Sequence, residues 1–235
     1  MNAIPREVLA DLAPNGVLRA AINYGNPVLA QPGPGGTSLG VSVALAQALA
    51  AELGVTLEMI TFDAAGKVFT ALEADAWNVA FLAIEPVRAA QIDFSEPYVI
   101  IEGTYLVNAD SAYQSVEDLD HAQARIAVGQ GAAYDLYLSR TLQHAVLDRA
   151  ETSAAAVDLF IERDLDAAAG VRQPLVQVAA QDSRYRVLDG AFTAIRQAMA
   201  VPRGRDAGAK YVRDFVERRL AEGFIRGALL ASGQT

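Results

Sequence analysis

The chain has 235 residues, 52% of them hydrophobic, which suffices for one large buried core or two smaller ones. A formal net charge of −9 argues against nucleic acid as a partner, because phosphate binding wants a basic face. The lack of cysteine excludes disulfides, thiol catalysis and thiolate metal sites, and no apolar run reaches the roughly 18 residues that cross a bilayer, so membrane insertion is not expected.

Met1 to Ala13 (MNAIPREVLADLA) contains Glu7 and Asp11 and lacks the basic start and apolar core of a secretory leader. Val8, Leu9 and Leu12 fall on one face of a short amphipathic helix. Gly16 to Asn23 reads as the first strand, followed by the turn Asn23-Tyr24-Gly25-Asn26-Pro27. Asn23 and Asn26 either cap local turns or hydrogen-bond a ligand. Gln31 to Gly36 is a Pro/Gly loop. Thr37 or Ser38 is expected to cap a helix ending at Gly54, with Leu45, Leu49 and Leu53 as its apolar stripe. Val55 to Phe62 reads as the second strand and Lys67 to Glu73 as a second helix.

The stretch Asn78 to Val107 (NVAFLAIEPVRAAQIDFSEPYVIIEGTYLV) organises the rest. Val79 to Ile84 is near-continuously apolar, as suits a strand buried on both faces. It ends at Glu85-Pro86, with Arg88 just beyond. In open α/β sheets that is where ligands sit. Arg88 is therefore a charged fork placed for a small anion; the alternative is a surface pair with Asp93 or Glu96. Tyr98 to Val107 is a long β-rich run interrupted by Glu102-Gly103-Thr104, and Glu102 faces either solvent or a ligand.

Asn108 to Asp118 is polar and loop-like. Arg125 to Gly129 reads as a strand, and Gln130-Gly131-Ala132-Ala133-Tyr134 as the turn into a helix reaching His144. Backbone N–H groups at such a helix start suit an anion. His144 reads as a surface helix residue and His121 as isolated, so no metal site is expected. Ser153 is expected to cap a helix with Val157, Phe160 and Ile161 inward. Arg172, after the Asp164 to Val171 segment, is either a solvated loop cation or a ligand contact. Tyr185 to Leu188 and Phe192 to Val201 read as strands, the latter ended by Pro202-Arg203-Gly204. Tyr211, Val212, Phe215, Val216 and Leu220 give the closing helices an inward face.

Arg88 followed by Asp93-Phe94-Ser95-Glu96-Pro97-Tyr98 resembles the polar amino-acid (type 3) family of bacterial solute-binding proteins, the receptors of ABC importers. The family writes this tract roughly as S-I-T-x-x-R and then D-F-S-x-P-Y. The second motif is intact. The first reads Ala83-Ile84-Glu85-Pro86-Val87-Arg88, with Ala83 and Glu85 where the family has Ser and Thr. The resemblance extends from about Gly16 to about Gly227.

The resemblance implies an α/β, two-lobed periplasmic-binding-protein-like fold of type II with two hinge-strand crossings. Lobe one would be 1–107 with 198–235, and lobe two 108–197, closing over a ligand in an interlobe cleft. It implies ligand contacts from Arg88, Glu85, Ala83, Asn23, Tyr24, Asn26, Glu102, the Gly131-Ala132-Ala133 turn and Arg172. The hydroxyl the family carries after the turn glycine is replaced by Ala132 and Ala133, leaving backbone donors. The Asp that grips an amino acid's ammonium group is replaced by Gly170 or Val171. The function expected is reversible binding of a small carboxylate-bearing anion, other than an ordinary α-amino acid. It would be performed by a monomeric receptor without cofactor, with an ABC permease as candidate partner. Two alternatives stand beside it: a dehydratase on the same scaffold with Glu85 as general acid, and a cytosolic small-molecule sensor. The missing leader points to the cytoplasm; if a leader has been removed, the compartment is the periplasm.

Overall fold

The computed structural model describes residues 3–234, so Met1 and Asn2 of the expected N-terminal helix lie outside the described residues. The chain divides into two compact units. The first takes the residues up to Asp63, Lys67–Val99 and those from Arg196 onward; the second takes Ala64–Gly66 and Ile100–Ile195.

The first unit opens with α1 (Arg6–Leu12), which buries Val8 and Leu12. Strand β1 (Val17–Asn23) follows, then the short pair β2 (Gln31–Pro32) and β3 (Ser38–Leu39), then α2 (Val41–Leu53). No hydroxyl caps α2, contrary to expectation. Thr37 Oγ1 donates to Pro34 O, and Ser38 Oγ shares a 2.5 Å hydrogen bond with Tyr24 Oη. The helix starts instead at Gly40, whose φ is 120° and where an added Cβ would lie 2.3 Å from the Leu29 carbonyl oxygen. Strand β4 (Thr56–Phe62) and helix α3 (Ala65–Thr70) come next. A 3₁₀ turn then ends at Asp75, held at φ 49°. Arg19 Nη1 donates to the Asp75 carbonyl at 2.6 Å, and Arg205 Nη2 to its carboxylate at 2.5 Å, which accounts for that left-handed corner.

Strand β5 (Val79–Ala83) is buried at every position, as its apolar run predicts. It leads through the one-turn helix α4 (Pro86–Ala89) to β6 (Ile92–Phe94). Strand β1 runs parallel to β4 and to β5, so Asn23 and Ala83 lie toward the same carboxyl edge.

The second unit starts within β7 (Val99–Asn108) and adds β8 (Arg125–Gly129), α5 (Ala133–Thr141), β9 (Val146–Ala150), α6 (Ser153–Arg163), β10 (Ala167–Val171), α7 (Arg172–Gln181) and β11 (Tyr185–Val187). Strands β8, β9 and β10 run parallel, while β7 is antiparallel to β10 and β11. Gly103 to Asn108 thus ladder within the second unit, and the division falls between Val99 and Ile100 rather than at 107.

Several local expectations change here. Helix α5 ends at Thr141, so His144 lies beyond it and donates its N–H to Asp120 at 2.8 Å. Thr152, not Ser153, caps α6 by accepting from the Ala155 N–H at 3.1 Å. His121 is not isolated: its Nε2 meets the Tyr113 hydroxyl at 2.9 Å, and that hydroxyl donates to Asp166. Ile161, expected inward, is 40% exposed, while Phe160 beside it is 1% exposed.

Strand β12 (Thr193–Pro202) carries the chain back to the first unit, antiparallel to β5 and β6. The buried Ser95 accepts the Met199 N–H at 3.0 Å, which gives the serine of the D-F-S-E-P-Y motif a structural task. Helices α8 (Asp206–Ala221) and α9 (Phe224–Ala231) close the unit. Glu52 of α2 receives Tyr211, Arg218 and Arg219 of α8. Leu220 lies 39% exposed, outside the expected inward face.

Candidate functional site

In the first unit the candidate residues gather at the carboxyl ends of β1 and β5. Pro86 starts α4, and the Glu85 carbonyl accepts the N–H groups of Arg88 and Ala89 at 3.0 and 2.9 Å. That single turn folds Arg88 back, and its Nη1 donates to the Ala83 carbonyl at 3.1 Å. Arg88 is 1% exposed, which excludes the surface pair with Asp93 or Glu96. Asp93 lies instead 3.9 Å from Arg203. Burial pushes the Arg88 guanidinium down from its ordinary value to about 10, and the charge of Glu85 acts in the opposite direction. The fork is therefore cationic at neutral pH. Glu85 is itself 7% exposed, so both signs of charge are buried on one short turn. Ala83, 2% exposed, offers its backbone only.

Asn23 and Asn26 are buried, and each closes its own turn. Asn23 Oδ1 accepts the Gly25 N–H at 2.9 Å, and Asn26 Oδ1 the Val28 N–H at 3.3 Å. Tyr24 is half-buried and tied to Ser38. Tyr98 shares a 3.1 Å hydrogen bond with Ser42, and its burial pushes the phenol pKa up.

In the second unit the turn at Gly131 is closed from within. Gly131, at φ 70°, donates its N–H to Asp135 Oδ2 at 2.8 Å, and the Ala132 N–H donates to the Gly129 carbonyl at 3.0 Å. These two backbone donors, expected to serve an anion, are taken up by the turn itself. Asp135 is 3% exposed and also accepts Ser139 Oγ at 3.2 Å and Arg149 Nε at 3.1 Å. Ala133 opens α5 and is buried. This Asp135–Arg149 arrangement was not foreseen, although an acid at the third helical position is a recognised capping signal.

Arg172 is not a solvated loop cation. It begins α7, its Nε donates to Glu102 Oε2 at 2.5 Å, and its Nη groups reach the carbonyls of Gly190 and Leu188. The Glu102 side chain remains 56% exposed. Gly170 is buried within β10, where an added Cβ would sit 3.2 Å from Leu175. Neither it nor Val171 supplies an acid. Among the described residues no cluster of three or more His, Asp or Glu side chains is placed to hold a metal ion, and no helix is long and apolar enough to cross a membrane.

Residues 18–227 match the family model of the bacterial extracellular solute-binding proteins, family 3. Among solved structures, an amino acid ABC transporter substrate-binding protein from Streptococcus pneumoniae, bound to L-arginine, is 23% identical. The match covers 97% of this chain and 98% of that one, with a TM-score of 0.80. The cysteine-binding protein from Campylobacter jejuni is 21% identical over 95% of this chain and 92% of its own, with a TM-score of 0.81. An ancestral amino acid-binding protein, a precursor of cyclohexadienyl dehydratase, is 24% identical over 94% and 96%, with a TM-score of 0.77. No curated protein matches the sequence. The fold is the mixed α/β, two-lobed fold of periplasmic binding proteins.

Proposed function

Since the chain belongs to the bacterial extracellular solute-binding proteins of family 3, we propose that it reversibly binds a small carboxylate-bearing solute other than an ordinary α-amino acid. The observation that carries this reading is the Arg88 guanidinium, 1% exposed and folded over the carboxyl end of β5. A desolvated fork of this kind recognises a planar carboxylate well, because both oxygens can accept from it at once. The residues at the resembled ammonium-gripping position, Gly170 and Val171, carry no charge. An ammonium group there forgoes a charge-assisted contact worth roughly 1.5–3 kcal/mol, about one to two orders of magnitude in affinity.

A second reading rests on Glu85, 7% exposed beside Arg88. Glu85 would take the ammonium group of a zwitterion in place of the absent Asp. A thermal-shift and calorimetric screen separates the two, pairing each acid with its α-amino counterpart: propionate with alanine, 3-phenylpropionate with phenylalanine. The first reading expects the acids to bind and their amino partners to bind roughly ten- to a hundredfold more weakly. Amino acids that bind as tightly as the plain acids overturn it, and loss of that binding in Glu85→Gln establishes the second.

A further inference from the structure

Strand β12 returns beside β5 with Gln197 directly opposite Ala83. Residues opposed across an antiparallel pair send their side chains to the same face, with Cβ atoms about 4.5–5.5 Å apart. Two residues further along, the same register sets Met199 opposite Phe81, and both belong to the buried apolar core. At Gln197 that apolar face ends in a polar group. Gln197 is 6% exposed. Its backbone carbonyl accepts the Tyr98 N–H at 2.8 Å, but no other described residue hydrogen-bonds its side-chain amide. A buried amide without a partner is costly, and folded proteins pair nearly all such groups. Ala83, across from it, also supplies the carbonyl that Arg88 Nη1 reaches at 3.1 Å. The amide and the guanidinium thus share the carboxyl end of β5, where solutes sit in α/β sheets.

The chemistry of an amide narrows what can pair with it. Whichever way the group is turned, it presents an N–H donor and a carbonyl acceptor side by side. A plain carboxylate has acceptors only, so it leaves the amide oxygen unmet. A solute with a hydroxyl next to its carboxylate meets both atoms. An ammonium group at the same oxygen brings a charge that a neutral amide does not balance. Nearby side chains do not take the amide's place. Ala83 and Ala198 are apolar, Arg196 is exposed, and the Ser95 hydroxyl is engaged with the Glu96 carbonyl and the Met199 N–H.

We propose that Gln197 is a specificity-determining residue: its amide N–H donates to a carboxylate oxygen of the solute and its amide oxygen accepts the neighbouring hydroxyl, so that the protein selects 2-hydroxy carboxylates over plain acids. The proposal rests on the carboxylate reading above, in which Arg88 holds the carboxylate, and adds the hydroxyl to it. A site with a buried hydrogen-bonding group rejects an analogue that lacks the matching group, because the protein's own polar atom is then left unpaired.

The test is calorimetry at pH 7 with propionate against each enantiomer of lactate, and with 3-phenylpropionate against 3-phenyllactate. The native sequence should bind one hydroxy acid of each set roughly ten- to a hundredfold more tightly than the plain acid. In Gln197→Met, which keeps the bulk and removes the amide, that ratio should fall to about one. Equal affinities for hydroxy and plain acids in the native sequence overturn the proposal and leave the carboxylate reading standing. A preference that survives in Gln197→Met overturns it too. A second readout needs no variant: the side-chain amide proton resonances of Gln197 should shift when the hydroxy acid is added to the native protein, and resonances that stay in place overturn the proposal. If no acid of either set binds, the carboxylate reading fails and the role of Gln197 falls with it.

Discussion

Both units carry a turn at the carboxyl end of a parallel strand, and they treat its polar groups in opposite ways. After β5, the one-turn helix α4 buries a guanidinium and a carboxylate on a single short segment. After β8, Asp135 reaches back to the Gly131 N–H and closes the turn on itself. After β10, Arg172 is held by Glu102 and by backbone carbonyls. Residue type does not distinguish these cases, since each turn offers donors or a cation. What distinguishes them is burial and the kind of partner: Arg88 is 1% exposed and donates to the Ala83 carbonyl, whereas the Gly131 N–H and Arg172 are each held by an acidic side chain. A donor already bonded inside the protein gains little by exchanging that bond for one to a solute. The proposed function assigns solute recognition to Arg88.

The largest effect that tests this contrast is at Arg88 itself. Arg88→Gln removes a buried guanidinium and its hydrogen bond to the Ala83 carbonyl, and denaturant unfolding should show a loss of about 1–3 kcal/mol along with loss of carboxylate binding. Asp135→Ala comes next. It removes the acceptor for Gly131, Ser139 and Arg149. We expect the second unit to lose about 2–3 kcal/mol, while carboxylate affinity shifts by less than about threefold. A collapse of affinity in Asp135→Ala would show that the second turn takes part after all.

Part of this was open to sequence reading and part was not. The run Val79 to Ile84, stopped by Glu85-Pro86, marks β5 because an apolar stretch without alternation suits a doubly covered strand. Arg88 could be placed at its end, yet its burial could not, since that depends on the direction in which a one-turn helix folds back. Strand β9 escaped notice because Val146-Leu147-Asp148-Arg149-Ala150 mixes charge into a short segment and is defined by pairing with β8. Helix α7 escaped because no side chain caps it and only Leu175 along it is buried. The Glu102–Arg172 pair joins residues far apart in the chain, and only the register that sets Val171 opposite Gly103 brings them together. The Gly131 turn reads as a donor site in the sequence because the reach of Asp135 is a matter of rotamer, not of spacing.

Smaller effects sharpen the comparison further. Asp120 accepts the N–H groups of Gln143, His144 and Ala145, and these backbone donors, Gln143 first, hold its carboxyl below the ordinary aspartate value of 3.8. A folded-state pKa below the unfolded one stabilises at and above the ordinary value, and that stability fades as pH falls through the lowered one. Acid titration of Tm should therefore show a drop below about pH 4 that is shallower in Asp120→Asn. Glu102→Gln should do less still. Its partner pair is solvent-facing, with the Glu102 side chain 56% exposed, and the cost should stay within about 1 kcal/mol, with carboxylate affinity nearly unchanged. No chemical change at all is expected when prephenate-like acids are incubated with the protein; turnover that disappears in Glu85→Gln would move the site from receptor to dehydratase.

The most direct measurement is a calorimetric titration of the native sequence and of Arg88→Gln with 3-phenylpropionate and with phenylalanine. We expect the acid to bind the native protein, the amino acid to bind it more weakly, and Arg88→Gln to bind neither. Retention of acid binding in Arg88→Gln, or preference of the native protein for the amino acid, would contradict the assignment of solute recognition to the buried guanidinium.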